Sequence, residues 1–186
     1  MPATPAWPPQ SAPRLYVPDD LGPDARITAE GNAAHYLLSV MRVKEGDAVL
    51  LFNGRDGEWA ARAVDIRKRD LMLVCAGQTK PLEAVPDRWL CAAPVKKGRI
   101  DMIVEKACEL GVARLQPVLT RRAVVDRLNL DRLNAHIIEA AEQCGRTSLT
   151  QLADMTKLDA LLREWPADRH LFFADETGGG PMRDAF

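Results

Sequence analysis

The chain has 186 residues, 47% of them hydrophobic, with 25 Lys and Arg against 26 Asp and Glu and a formal net charge of −1. This suits one or two small globular domains with real cores and excludes a polycation, so any nucleic-acid surface has to be local. Apolar runs stay well short of the roughly 20 residues that span a bilayer, and Cys75, Cys91, Cys108 and Cys144 lack knuckle spacing for a metal, so no metal site is expected. Free thiols of this kind fit a reduced, cytoplasmic setting.

Residues 1–13 are uncharged, rich in Pro and Ala, and carry no apolar segment of the signal-peptide type. They read as a disordered arm. Residues 14–17 form a strand candidate that Pro18 ends. Ala33, Tyr36, Leu37 and Val40 recur at helical spacing within residues 32–41. Glu45-Gly46-Asp47 is a turn, residues 49–52 a buried strand, and Asn53-Gly54 a second turn. Residues 58–66 and 71–76 are further strands, separated by the charged run Arg67-Lys68-Arg69-Asp70. Short strands with tight turns predict a small barrel over residues 14–82.

After Pro81 and Pro86 the pattern changes. Strands are predicted at residues 89–93, 115–119 and 170–174, and helices at 99–110, 130–144 and 157–165. Gly111, Gly145 and Pro166 stop the three helices. Alternation of strand and helix predicts a parallel sheet with crossover helices over residues 83–186.

Nucleophile elbows, Walker loops, dinucleotide fingerprints and zinc-protease motifs are absent. Asp56-Gly57-Glu58 and Gly178-Gly179-Gly180 read as turns and loops. Three stretches stand out. Lys96, Lys97 and Arg99 precede or open a helix, where their charge opposes the helix dipole. With free backbone N–H groups they would make a phosphate site, whereas alone they are a solvated helix entry. Arg121 and Arg122 follow a strand, at the sheet edge where open α/β folds bind ligands. Residues 96–122 hold seven basic and three acidic side chains, a local excess of four in a chain of net charge −1. Glu139, Glu142 and Gln143 share one face at a helix end, with Arg146 just beyond.

These stretches, in this order, resemble the RsmE family of ribosomal-RNA methyltransferases within the SPOUT superfamily. The resemblance runs through Arg14-Leu15-Tyr16, His35 with residues 36–47, Phe52-Asn53-Gly54, Lys97-Gly98-Arg99-Ile100-Asp101, residues 105–111, Pro117, Thr120-Arg121, Val124-Val125 and residues 139–146. It implies an α/β protein: an N-terminal PUA-like β-barrel that docks RNA, then a methyltransferase domain with a trefoil knot. It also implies S-adenosylmethionine as methyl donor, N3 of a uridine in 16S ribosomal RNA as target, the free rRNA or assembled small subunit as partner, and a homodimer. No membrane partner is implied. By matching position, Arg14, His35, Arg42, Lys44, Lys97, Arg121 and Arg122 would face RNA, and Gln143 and Arg146 would lie at the active site.

The family pattern continues with a Gly-Pro-Glu-Gly-Gly loop and a Leu-Arg-x-Glu-Thr-Ala helix start, which form the knot and most of the donor pocket. This sequence stops at Phe186, so only the first donor wall, Ala174, Asp175 and Glu176, is expected within it. The expectation is a fragment, or a chain given without its tail, with donor binding doubtful at this length. An RNA-docking piece without catalysis, and a methyltransferase of another RNA, are the alternatives.

Overall fold

The computed structural model describes residues 7–96, 98–123, 125, 127–174, 177, 178 and 180. Lys97, Asp175 and Glu176 lie outside the described residues, as do residues 181–186, and the segments expected to form the knot are not in this sequence.

The first lobe is a curled five-stranded sheet. Its strands are β1 (Arg14–Tyr16), β2 (Arg26–Glu30), β3 (Ala48–Phe52), β4 (Glu58–Ile66) and β5 (Asp70–Lys80), in spatial order β1-β3-β4-β5-β2. β1 runs parallel to β3, and all other neighbours are antiparallel. β4 carries register shifts at Glu58/Trp59, Ala60/Ala61 and Val64/Ile66, and such bulges bend a sheet around its core. That core is apolar, built on Leu15, Ile27, Leu37, Val49, Leu51, Leu71 and Leu73. The expected helix at residues 32–41 is two pieces, α1 (Gly31–His35) and a π-helical segment (Tyr36–Val40). The Met41 N–H reaches back five residues to the Tyr36 carbonyl at 2.9 Å, which is the π spacing. β2 was not foreseen. Its alternation is only five residues long, Ile27 and Ala29 inward, and lies in a stretch full of Pro, Gly and Asp.

Of the expected arm, Trp7 lies beneath the Arg62 guanidinium at 4.1 Å, and the Leu50 N–H donates to the Pro13 carbonyl at 2.8 Å.

The second lobe is a parallel sheet, with β6 (Trp89–Ala92) and β7 (Arg114–Leu119) at its centre. α2 (Arg99–Glu109) and α3 (Leu130–Cys144) pack on it through Ile100, Val104, Cys108, Leu133, Ile137 and Ala141. Asn129 caps α3 by accepting from the Arg132 N–H, and Gly145 ends it at φ +75°, in the left-handed region that costs glycine least. Asp101–Arg132 at 2.6 Å ties α2 to α3. α4 (Leu158–Arg163) is shorter than the expected 157–165 helix.

Beside β7 lie two fragments, β8 (Gln151–Leu152) and β9 (Thr156–Lys157), both parallel to it. They are one strand broken in the middle, and Pro117 explains the break. The Leu115 carbonyl accepts from the Ala153 N–H, so residues 115 and 117 turn their backbone groups towards this side. Pro117 has no N–H to give. The buried side chain of Gln116 fills the gap, donating to the Asp154 carbonyl at 2.6 Å and the Pro117 carbonyl at 3.2 Å.

The strand expected at residues 170–174 is not formed; this segment has no regular structure, and Leu171, Phe172 and Phe173 are exposed. A short apolar run becomes a strand only where a neighbouring strand supplies its ladder, and periodicity carries no information on that.

Phe52 belongs to the first lobe by sequence but is fully buried among α2, α3 and Leu115 of the second. Its ring meets Tyr16 edge-on at 5.7 Å. The lobes therefore share buried apolar surface. Gln116→Leu should remove the side-chain donor from the buried Pro117 carbonyl and from the Asp154 carbonyl, and lower the unfolding free energy by about 1–3 kcal/mol. Urea unfolding read by tryptophan fluorescence checks this, and an unchanged midpoint would mean that Gln116 does not bridge the strand break.

Candidate functional site

The joint between the lobes is polar as well as apolar. Arg14 on β1 points at the C-terminal end of α3. Its Nη1 donates to the Ala141 carbonyl and its Nη2 to the Arg146 carbonyl, both at 2.5 Å. Its Nε donates to Glu58 Oε2 at 2.5 Å, and its guanidinium lies 3.9 Å over the Phe52 ring. The Ala141 carbonyl also accepts from the Gly145 N–H at 3.1 Å, so Arg14 adds a second, charged donor at the negative end of the helix dipole. A cation there is well placed, and Glu58, only 2% exposed, balances its charge. Thr79 Oγ1 donates to Glu58 Oε1 at 2.8 Å. Glu142 accepts from the Tyr16 N–H at 2.8 Å. Burial pushes the Glu142 carboxyl above its ordinary value, against the opposing pull of Tyr16 and Arg14.

A second knot of contacts holds the turn after α3. Glu83 Oε1 accepts from the Thr147 N–H, the Ser148 N–H, both at 3.0 Å, and the Ser148 hydroxyl at 2.8 Å. Arg146 Nη2 lies 3.2 Å from Glu83 Oε2. Burial works to raise the Glu83 carboxyl, but the Ser148 donors, Arg146 and the Thr147 N–H outweigh it and hold it below its ordinary value. The Arg146 guanidinium also fills the space over Gly111, where a Cβ would stand 2.9 Å from it.

The expected site residues fall into three groups. Gln143 and Arg146 sit at the C-terminus of α3, Gln143 exposed and Arg146 engaged by Glu83. Because α3 returns antiparallel to β7, this end meets the amino edge of the sheet, where Gly111 and Val112 precede β7. Arg121 and Arg122 are exposed at the carboxyl edge, with Lys96, Arg99 and Lys157. A 15-residue helix is about 22 Å long, so one chain separates the two groups by roughly that distance. His35, Arg42 and Lys44 are exposed on the first lobe, around the π-helical segment. Arg14 belongs to none of the exposed groups, since its guanidinium is spent on protein acceptors. Ala174 is exposed and without regular structure.

Sequence reasoning missed Glu58, which reads as a turn residue but is the buried partner of Arg14. The signal was its place: an inward position at the start of a strand is a costly site for a carboxylate unless a cation meets it. It also missed Glu83, which the sequence shows only as one acid in a linker. Burial raises the thiol pKa of Cys75, Cys91 and Cys108, which keeps these groups protonated and inert.

With this geometry in hand, comparisons with known proteins decide the family. Residues 83–186 match the RNA methyltransferase domain family, and residues 29–73 match the RNA methyltransferase PUA domain. The chain belongs to the RNA methyltransferase family. Within it the chain is similar to ribosomal RNA small subunit methyltransferase E of Rickettsia conorii, 32% identical over 134 residues, covering 72% of this chain and 55% of that protein. The Synechocystis protein of the same name is 29% identical over 142 residues, covering 75% of this chain and 46% of that one. The chain thus spans about half the length of these two relatives.

Two solved structures share its architecture. A methyltransferase of Legionella pneumophila with bound cofactor SAM aligns at a TM-score of 0.75 and 29% identity, over 86% of this chain and 68% of that one. Ribosomal RNA small subunit methyltransferase E of Neisseria gonorrhoeae, bound to S-adenosyl methionine, aligns at 0.74 and 26% identity, over 84% and 67%. The fold is the SPOUT-type α/β arrangement with a PUA-like first lobe.

Arg14→Ala should leave buried Glu58 with Lys80, 3.7 Å away, as its remaining cation and cost about 3 kcal/mol of stability, the lower end of the range for breaking a buried ion pair from one side. Equal urea midpoints for the two proteins would refute that role. Glu83 and Glu142 should show opposite pH signatures. The folded pKa of Glu83 is depressed, so its contribution is full above the unfolded value and lost as pH falls through the folded one. The stability difference between wild type and Glu83→Gln should therefore shrink between about pH 7 and pH 3. The folded pKa of Glu142 is raised, so its charged form is a burden that grows as pH rises. Glu142→Gln should gain on wild type over the same rise. Chemical unfolding across that range separates the two.

Proposed function

We propose that this chain docks ribosomal RNA and forms part of the active site of an S-adenosylmethionine-dependent enzyme that methylates N3 of a uridine in 16S rRNA. The enzyme acts as a homodimer on the free rRNA or the assembled small subunit. The observation that carries the reading is a coincidence of two findings. The family match covers the second lobe, and the carboxyl edge of that lobe's sheet gathers cations that pair with no acid among the described residues.

Among the described residues no hydrogen bond or ion pair engages the side chains of Lys96, Arg99, Arg121, Arg122 or Lys157. By contrast Arg14, Arg55, Arg67, Lys106, Arg132, Arg146 and Arg169 all have acidic partners. Unpaired cations at a sheet edge have no packing purpose and suit phosphates. Lys97, outside the described residues, adjoins the same edge in sequence and belongs to the same proposal.

The donor is the weakest fit. Of the proposed first wall only Ala174 is described, and it and residues 171–173 are exposed rather than cradled. The donor, when bound, supplies an electrophilic methyl group on a sulfonium. The chain's own task is different. Uracil N3 carries a proton and is a poor nucleophile until it is lost, so the base has to be extruded, held and deprotonated. Arg121 and Arg122 hold the flanking phosphates. Gln143 hydrogen-bonds the base edge, and Arg146 stabilises the developing uracil anion. Since these lie at the opposite sheet edge, they reach a base held by Arg121 and Arg122 only from a second subunit. The homodimer is therefore part of the proposed mechanism.

Two measurements test the reading. Titration calorimetry of S-adenosylmethionine into the protein should give saturable binding; none would restrict the chain to RNA docking. In a methylation assay on 16S rRNA, with the product nucleoside identified by mass, Arg146→Ala should reduce turnover about a hundredfold or more while leaving RNA affinity nearly unchanged. Arg121→Ala/Arg122→Ala should weaken RNA binding instead. Equal turnover for Arg146→Ala would remove it from the site.

A further inference from the structure

The first lobe carries an open cleft of about 290 Å3, lined by Gly31, Ala34, His35, Leu38, Ser39, Lys68 and Arg69. It lies between the α1–π segment and the turn joining β4 to β5. All its polar side chains can donate a hydrogen bond, two of them are permanent cations, and none of the lining residues is acidic. The adjacent acids Glu30 and Asp70 face each other across β2 and β5 outside the lining, and Asp70 lies 3.9 Å from Arg67. Arg67 is itself paired with Asp65 at 2.6 Å. Lys68 and Arg69 have no such partner among the described residues, although they occupy the same turn.

The cleft wall is unusual in its backbone as well. It is π-helical, and π segments concentrate at functional sites. Just past it Val40 is 60% and Met41 39% exposed, and Arg42 takes φ +55°. A non-glycine side chain in the left-handed region is costly and persists where the surroundings enforce it. The result is a rim of exposed apolar groups next to free cations, with the Arg42 and Lys44 side chains beside it. Its volume lies near the lower end of the range for small-ligand sites and exceeds what a bare phosphate needs. Ala34 and Leu38 provide an apolar floor.

We propose that this cleft binds one nucleotide of single-stranded RNA, with Lys68 and Arg69 on its phosphate and Leu38, Ala34 and the Val40-Met41 rim against its ribose and base. The proposal rests on the RNA-docking reading above and adds to it a defined subsite and two residues, Lys68 and Arg69, that the resemblance does not point to. Single-stranded RNA is favoured over duplex because unstacked bases can enter a pocket of this size, whereas duplex recognition tracks phosphates across a groove.

The test uses the full chain and a fluorescein-labelled single-stranded RNA of about ten nucleotides, followed by anisotropy at several salt concentrations. Lys68→Ala/Arg69→Ala should raise Kd about tenfold and flatten the slope of log affinity against log salt by about 0.7, the value for one neutralised phosphate of a single strand. Both residues are exposed, so the variant should keep its thermal midpoint. Arg88→Ala/Arg163→Ala removes two other unpaired cations and should change Kd less than about twofold. With 4-thiouridine in the RNA, photocrosslinks should map to residues 31–41 and be lost in the cleft variant.

Equal loss in the control pair, or crosslinks elsewhere, overturns the cleft as a site. If Lys68→Ala/Arg69→Ala binds as wild type while Arg121→Ala/Arg122→Ala does not, the cleft proposal falls and RNA docking stands. If the wild-type chain binds no RNA at all, the docking reading falls and the cleft proposal with it.

Discussion

The Arg14 guanidinium is the contact on which the arrangement of the two lobes depends. It leaves the edge strand of one sheet and ends on the carbonyls of a helix that belongs to the other. The charge meets carbonyls at the negative end of α3 and just beyond it, and the buried Glu58 carboxylate balances that charge. Phe52 sets the distance, since its ring is buried in the second core and lies under the same guanidinium. Polar groups give this joint its direction, and apolar burial gives it most of its strength. Tyr16, Glu142 and Glu83 extend the same logic along the helix end, each matching a donor of one segment with an acceptor of another.

That design divides the basic residues of a nearly neutral chain into two kinds. One kind is structural, and each member has a carboxylate or a carbonyl at close range. The other kind makes no such pairing among the described residues and, apart from scattered members such as Arg88 and Arg163, gathers at the carboxyl edge of the parallel sheet and around the π-helical segment. A protein that needed charge only for solubility would scatter it, because isolated exposed ion pairs add little stability. Leaving cations unpaired in clusters lowers stability through mutual repulsion and is useful only if a polyanion relieves it. The net charge of −1 conceals this division, because the structural cations balance much of the acid in place.

The sequence made most helices and strands legible because their faces are periodic: α2 and α3 are found where the apolar stripes and terminal glycines place them, and β4 starts and ends as the alternation indicates. It failed where the deciding partner is distant. Residues 170–174 have the composition of a strand but not its pairing. The strand expected at residues 115–119 is β7, but the break it imposes on its neighbour was not foreseen, because the repair by the Gln116 side chain depends on the distant Asp154 carbonyl. The break from α1 into the π segment left no periodic trace over five residues. The exposed position of Arg121 and Arg122 just past β7 was legible because a strand end is a local feature. The pairing of Arg14 with Glu58 was not, since 44 residues separate them and only the sheet brings them together. Lys68 and Arg69 were visible as charge but not as the wall of a cleft.

The separation of the two site groups has a consequence for how a single target base would be handled. α3 carries Gln143 and Arg146 away from the basic edge by the length of the helix, and the Glu83 clamp fixes Arg146 where it lies. Sliding Arg146 towards its own Arg121 would break the contacts of Thr147 and Ser148 with Glu83 and uncap the turn. One rigid chain therefore cannot apply both groups to one nucleotide. Two chains can, provided that the α3 end of one meets the carboxyl edge of the other. In that arrangement Arg146 would arrive with Glu83 beside it, so its field on a developing anion would be partly cancelled and its value would lie in directed N–H donors rather than in net charge. Catalysis by positioned donors in a dry site depends little on formal charge. The proposed pairing of subunits then supplies both the missing proximity and the exclusion of water.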